Sequence, residues 1–251
     1  MIIWREKIIA TGVHFAVTLL LAGIAAALIF LVWFPSPFQT MIGGTDLFML
    51  VVGCDLALGP LLSLVIYNSR KSRRELFTDY TIVGVLQVAA LVYGVLIVAD
   101  VRPAYVAFYK DRFEIVLAGD LRKEELEAAT DPRYAKVGWT GPALVGVTVA
   151  PKDAQNALFE AVSGNEEHLR PRFYVPYDSI VARIRARAKP LDALETGYPE
   201  TRPLLEAALK DVEVPREKLG WLPSRSFRGF WTAVVDLDTG RPVAWIKFET
   251  A

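Results

Sequence analysis

Val51-Val52-Gly53-Cys54-Asp55-Leu56-Ala57-Leu58-Gly59-Pro60 places a carboxylate inside an apolar run and closes it with a helix-breaking pair. The run extends over residues 47–67, and about 20 apolar residues suffice for a helix to cross the hydrocarbon of a bilayer. An ionisable group at that depth costs about 2.5–3.5 kcal/mol on insertion scales, so Asp55 needs a partner or a task. Pro60 cannot donate to the carbonyl of Leu56 and crowds it, which predicts a kink or local opening about one turn later. Gly59 weakens the same turn.

Two further apolar runs flank this one, at residues 8–34 and 80–99, and an ordinary soluble mixture begins at Asp100. The reading is an integral membrane protein. Three transmembrane α-helices (residues 1–99) precede a soluble α+β domain (residues 100–251) with an antiparallel sheet. The first run follows Arg5 and Lys7 as a signal peptide would, but it is far longer than an h-region and no cleavage site follows, so it reads as an uncleaved anchor.

The connectors set the expected orientation. Residues 35–46 contain no Lys or Arg, whereas the loop at 68–79 contains Arg70, Lys71, Arg73 and Arg74. Positive loops stay in the cytoplasm. The N-terminus and the basic loop are therefore expected inside, and the C-terminal domain outside, in the periplasm of a bacterium with an inner membrane. Trp33, Phe34 and Phe38 are then expected at the outer boundary of the lipid.

Each span carries a face of small or polar residues. His14, Thr18, Ala22 and Ala25 share one face of the first; Asp55, Gly59 and Ser63 repeat at four-residue spacing on the second; Gly84, Gln87 and Gly94 cluster on the third. Small faces let backbones approach and polar groups find partners across helices. A compact three-helix unit with these faces inward, or turned toward a fourth helix from elsewhere, follows. His14, Thr18 and Gln87 are the candidates for interhelical polar contacts.

In the soluble part, residues 103–109 and 113–117 read as strands around a Lys110-Asp111-Arg112 turn, and 143–149 as a buried strand. Residues 229–236 and 242–248 form a hairpin around Leu237-Asp238-Thr239-Gly240. Helices are expected at 121–129, 152–162, 179–189 (with Asp178 or Ser179 as N-cap) and 201–210. Arg183, Arg185 and Arg187 diverge around their helix and read as a solvated surface.

Acidic and basic residues balance, so there is no basic field to gather nucleic acid. The lone Cys54 lies within an apolar run and is assigned no role, and the soluble part has no thiolate for a metal or a disulfide. His168, in Glu166-Glu167-His168, lacks metal-ligand spacing to any other candidate. No nucleophile elbow, phosphate loop or paired-carboxylate motif occurs, so no catalytic residue, metal or cofactor is expected.

Several motifs carry a family resemblance. Pro35-Ser36-Pro37-Phe38, Gly43-Gly44-Thr45-Asp46-Leu47-Phe48, the stretch from Asp55 through Gly59-Pro60-Leu61-Leu62, Asn68-Ser69-Arg70-Lys71-Ser72-Arg73-Arg74-Glu75-Leu76, Gln87 and Arg102-Pro103 together resemble type IV pilin accessory proteins of the TfpX/TfpZ kind. Arg172-Phe173-Tyr174-Val175-Pro176-Tyr177, Leu222-Pro223-Ser224-Arg225 and Asp238-Thr239-Gly240 fit the same family more loosely. The resemblance implies a non-enzymatic inner-membrane chaperone that stabilises a cognate type IV major pilin and promotes its assembly into surface pili. Its partners would be the lipid bilayer, the pilin's apolar N-terminal helix and its globular head, with Asp55, Gly59, Pro60 and Ser63 as the expected pilin-binding group. Two other classes stand beside it: a membrane-anchored envelope enzyme, which lacks recognisable catalytic groups, and a ligand-binding sensor, which lacks a cytoplasmic output module.

Overall fold

The computed structural model describes residues 2–67 and 71–250, so Arg70 of the basic loop lies outside the described residues. The chain forms two compact units, Met1–Val101 and Arg102–Ala251.

In the first unit, α1 (Ile2–Ala27) runs into a π-helical turn, Leu28–Trp33, closed by Phe34 N donating to Ile29 O at 2.7 Å. A short helix α2 (Phe38–Ile42) follows, and Gly43, at φ +90°, turns it into α3 (Gly44–Ile66). Gly44 lies against the Phe34 ring: a Cβ there would sit 2.8 Å from its Cδ1. Helix α4 (Arg73–Asp100) starts in a capping box, in which Glu75 N donates to Ser72 Oγ and Ser72 N to the Glu75 carboxylate. Its polar first turns therefore extend the helix beyond the apolar run.

Three segments, Arg5–Trp33, Gly44–Ile66 and Arg73–Asp100, are long and apolar enough to cross a membrane. Their outward faces carry large apolar side chains such as Leu20, Leu31, Val65 and Leu86, while Ala22, Ala25, Gly59, Ser63 and Gly94 are buried between helices. Large residues face out and small ones in, as lipid-facing helices that pack closely require. Helix α3 continues as α-helix through Pro60 without interruption. Trp33, Phe34 and Phe38 are buried within the protein, with Phe34 packed against Gly44.

The second unit is built on β1 (Pro103–Tyr109), β2 (Arg112–Leu117), β3 (Ala143–Val147), β4 (Tyr174–Pro176), β5 (Lys189–Pro190), β6 (Leu219–Ser226), β7 (Gly229–Asp236) and β8 (Pro242–Ile246). They form one sheet in the order β4-β3-β1-β2-β6-β7-β8, with β5 also pairing β6. The sheet is mostly antiparallel. The β1–β3 and β2–β6 pairings are parallel, which makes it mixed. Short helices α5 (Lys123–Glu127), α6 (Ala154–Val162), α7 (Val181–Arg187), α8 (Leu191–Gly197) and α9 (Arg202–Leu209) fill in around two cores. Tyr105, Ala107, Val145 and Tyr174 centre one core; Leu194, Leu205, Trp221 and Val234 centre the other.

Strand β6 was not anticipated, because Gly220 and Pro223 lie within it. Along one edge β5 pairs Gly220 and Trp221 while β2 pairs Ser224 and Arg225, so Pro223 falls in the break between the two partners. The helix expected at 179–189 begins only at Val181, after a 3-10 turn. Neither Asp178 nor Ser179 caps it, for Ser179 Oγ donates instead to Pro176 O. Its arginines are not merely solvated: Arg183 donates to Val147 O at 2.8 Å and Arg185 to Leu237 O at 2.6 Å, stapling α7 to β3 and to the β7–β8 turn.

Candidate functional site

Helix α3 packs along both α1 and α4, whose backbones lie farther from each other than from α3. The three form a trough with α3 as its floor. Gly59 marks a close approach: a Cβ there would lie 2.6 Å from Gln87 Nε2 and 3.5 Å from both His14 Nε2 and Thr18 Oγ1. Only the missing side chain lets α1 and α4 bring their polar groups together over α3.

Over that gap His14 Nε2 donates to Gln87 Oε1 at 2.6 Å, and Thr18 Oγ1 donates back to His14 O at 3.1 Å. His14, Thr18 and Gln87 are thus one cluster bridging α1 and α4. It is incompletely satisfied: Gln87 Nε2 and His14 Nδ1 are buried without a partner.

Asp55 opens onto the same place. A cavity of about 90 Å³ is bounded by Asp55 and Val52 from the floor, by His14, Thr18 and Leu21 from α1, and by Gly84, Gln87 and Val88 from α4. Its size suits a side-chain head group or a few waters rather than a cofactor. The half-buried Asp55 carboxylate has no hydrogen-bond or ion-pair partner among the described residues. Asp55, His14 and Gln87 therefore border one small chamber. The walls above it are apolar and open, with Val17 52% and Val88 48% exposed.

The other expected residues are placed differently. Ser63 is fully buried and bonds Tyr80 OH at 2.9 Å, tying α3 to α4 away from the chamber. Pro60 does not line the chamber. Gly59 and Ser63 thus face neighbouring helices and shape the trough rather than open into it. Lys71, Arg73 and Arg74 are exposed, with Lys71 paired to Asp79 at 2.5 Å. Tyr80 was missed because a tyrosine near a span's end reads as an interfacial residue.

The soluble unit holds a second polar cluster that sequence reasoning did not assemble. Arg225 on β6 donates to Glu114 on β2 at 2.8 Å and to both oxygens of Glu166 at 3.1 Å, while Arg112 Nε lies 3.1 Å from Glu114. Tyr109 OH donates to Glu167, and the His168 ring lies against Tyr109 with centroids 5.6 Å apart. Burial pushes the Glu114 carboxyl up from its ordinary value, against the pull of Arg225 and Arg112. Burial likewise pushes the His168 imidazole down to about 4, so it is neutral at physiological pH. The β2–β6 pairing brings the cluster together, setting Glu114 beside Arg225. Alternation alone would have marked Glu114 as the odd charge on a buried strand. Among the described residues no group of His, Cys, Asp and Glu side chains is arranged to hold a metal ion.

The family model for fimbrial assembly protein FimB matches residues 2–43, which cover α1, the π-turn and α2. A serogroup I fimbrial assembly protein from Dichelobacter nodosus is 31% identical over 235 residues, covering 90% of this chain and 89% of that protein. This chain belongs to the fimbrial assembly protein family. The serogroup E1 protein of the same organism is 30% identical over 230 residues, with the same coverage. A third relative, of serogroups C1 and C2, is 36% identical over 119 residues, 47% of this chain and 91% of that protein. No solved structure matches. Membership of this family supports a role in fimbrial biogenesis. The match to the serogroup I relative covers 90% of the chain and so extends over both compact units.

Proposed function

We propose that this protein is an inner-membrane accessory factor that holds a cognate type IV pilin before its assembly, seating the pilin's apolar N-terminal helix in the trough between α1 and α4. Family membership supplies the process. The observation that carries the reading is Asp55, an intramembrane carboxylate with no partner among the described residues, opening into a chamber whose walls are exposed apolar side chains. A helix laid across Val17 and Val88 would cover those walls. A polar or positively charged group near the helix's N-terminus would give Asp55 the partner it lacks. In this reading Gly59, Pro60 and Ser63 shape α3 to receive the client, and Asp55 touches it.

The basic residues Arg5, Lys7, Arg70, Lys71, Arg73 and Arg74 support a cytoplasmic N-terminus and connector, which leaves the C-terminal unit periplasmic, where the pilin head would meet it. Holding a client requires packing and polar complementarity and no bond making, so the proposal needs no enzymatic chemistry.

The test is in-cell photo-crosslinking in the presence of pilin, with the photoreactive residue at Val17 or Val88 on the trough and at Val65, 80% exposed on the outer face of α3. Pilin adducts from the trough positions, absent at Val65, are expected. Equal capture at all three sites, or none at Val17 and Val88, overturns the proposal. Asp55→Asn complements it: protein abundance should persist while surface pili fall.

A further inference from the structure

The second unit exposes two large aromatic residues on separate loops, Phe227 at 74% and Trp139 at 61% exposure. Strand pairing brings them to one end of the sheet. Strand β3 is parallel to β1 with Tyr105 beside Ala143, so the loop carrying Trp139 enters the sheet where β1 begins. Strand β2 runs back toward that end, pairing Leu117 with Pro103. Strand β6 is parallel to β2, with Phe113 beside Ser224, so the β6–β7 hairpin points Phe227 toward the same end.

That end is also where the chain leaves α4. The helix ends at Asp100 and β1 starts at Pro103. Three residues of chain reach at most about 11 Å. If α4 spans the bilayer, Pro103 cannot be far from its surface. Arg102, in the junction itself, sets its guanidinium 5.4 Å above the Trp139 ring and donates to Gly138 O at 3.1 Å, which orients the tryptophan loop on the junction. An exposed indole and phenyl ring at the water–lipid boundary are the chemistry of interfacial anchoring.

We infer that the loop bearing Trp139 and the β6–β7 hairpin tip bearing Phe227 form a membrane-contacting edge of the soluble unit, dipping their aromatic rings into the headgroup region of the bilayer. The inference rests on the reading of α4 as a membrane span. It gives the unit one seated edge, leaving the opposite end of the sheet, with the Lys110-Asp111 turn, in water. A unit seated in this way would present the same face to any client, which a freely tumbling head could not do.

The experiment uses the full chain in vesicles of neutral and anionic phospholipid. On a Cys54→Ala background, Phe227→Cys, Trp139→Cys, Asp111→Cys and Val85→Cys are each labelled with an environment-sensitive fluorophore. Quenching is then compared between aqueous iodide and doxyl groups carried on the lipid. Labels at 227 and 139 should be several-fold less sensitive to iodide than the label at 111, and should be quenched by lipid-borne doxyl as the label at 85 is. Labels at 227 and 139 as open to iodide as the label at 111, with 85 in lipid, would overturn this inference alone. Protection from iodide without doxyl quenching would also overturn it and mean that protein covers the edge. A label at 85 that is itself open to iodide would overturn the membrane reading, and this inference with it.

Discussion

Lowering the pH from 7 to 5 should destabilise the soluble unit through one residue, His168. Its ring is buried against Tyr109, with the Glu166, Glu167 and Glu114 carboxylates and the Arg112 and Arg225 guanidinium groups around it. Burial holds its folded value near 4 against an ordinary 6.5. Because the folded value is the lower one, the unfolded chain takes up the proton first as pH falls. Stability is untouched well above pH 6.5, is lost progressively between 6.5 and 4, and is constant below. At about 1.4 kcal/mol per unit, the full loss approaches roughly 3 kcal/mol, of which about 2 is reached by pH 5. For a domain near 150 residues that is a fall in Tm of roughly 4–8 °C. His168→Phe keeps a ring against Tyr109 and removes the titration, while every carboxylate remains. The assay is thermal unfolding of the full-length protein in nanodiscs, followed by near-UV circular dichroism at pH 7 and pH 5. The wild type should fall by that margin more than the variant. An equal drop in both proteins would refute the argument that His168 is held neutral by burial.

Three further outcomes follow from the packing. Gly59→Ala should break the His14–Gln87 bridge, because its Cβ meets Gln87 Nε2 at 2.6 Å. A loss of about 1–3 kcal/mol is expected by steric trapping in bicelles, whereas Gly53→Ala, with open space around it, should be near neutral. Arg225→Met leaves Glu114 buried beside Arg112 alone. Since Arg225 is itself partly exposed, the loss should fall at or below the lower end of the roughly 3–5 kcal/mol seen when buried pairs are broken, and adding Glu114→Gln should recover part of it in urea unfolding. Ser63→Ala should weaken the α3–α4 contact through Tyr80, which a drop in detergent resistance would register.

The three apolar helices were legible because length and hydropathy need no partner to be read: lipid takes the place of a core. The strands β1, β2, β7 and β8 were legible through alternation and their turns. Strand β6 was not, since Gly220 and Pro223 argue against a strand and only the break between β5 and β2 makes a place for them. The arginines of α7 read as solvated because their acceptors, the carbonyls of Val147 and Leu237, lie 36 and 52 residues away in the chain.

The candidate site divides in the same way. The sequence by itself determined that Asp55 lies in an apolar span, that Gly59 and Ser63 share its side of the helix, and that His14, Thr18 and Gln87 offer polar groups on the other two spans, because all of this is local spacing. Tertiary structure alone decided which of these groups meet. It gave His14 to Gln87 across Gly59 and Ser63 to Tyr80, and left Asp55 with no partner among the described residues. The physical reason is that helical period fixes which way a side chain points, whereas its satisfaction depends on how closely separate helices approach. At Gly59 that approach depends on an absent Cβ, and it brings two polar side chains together beside a third that is left open.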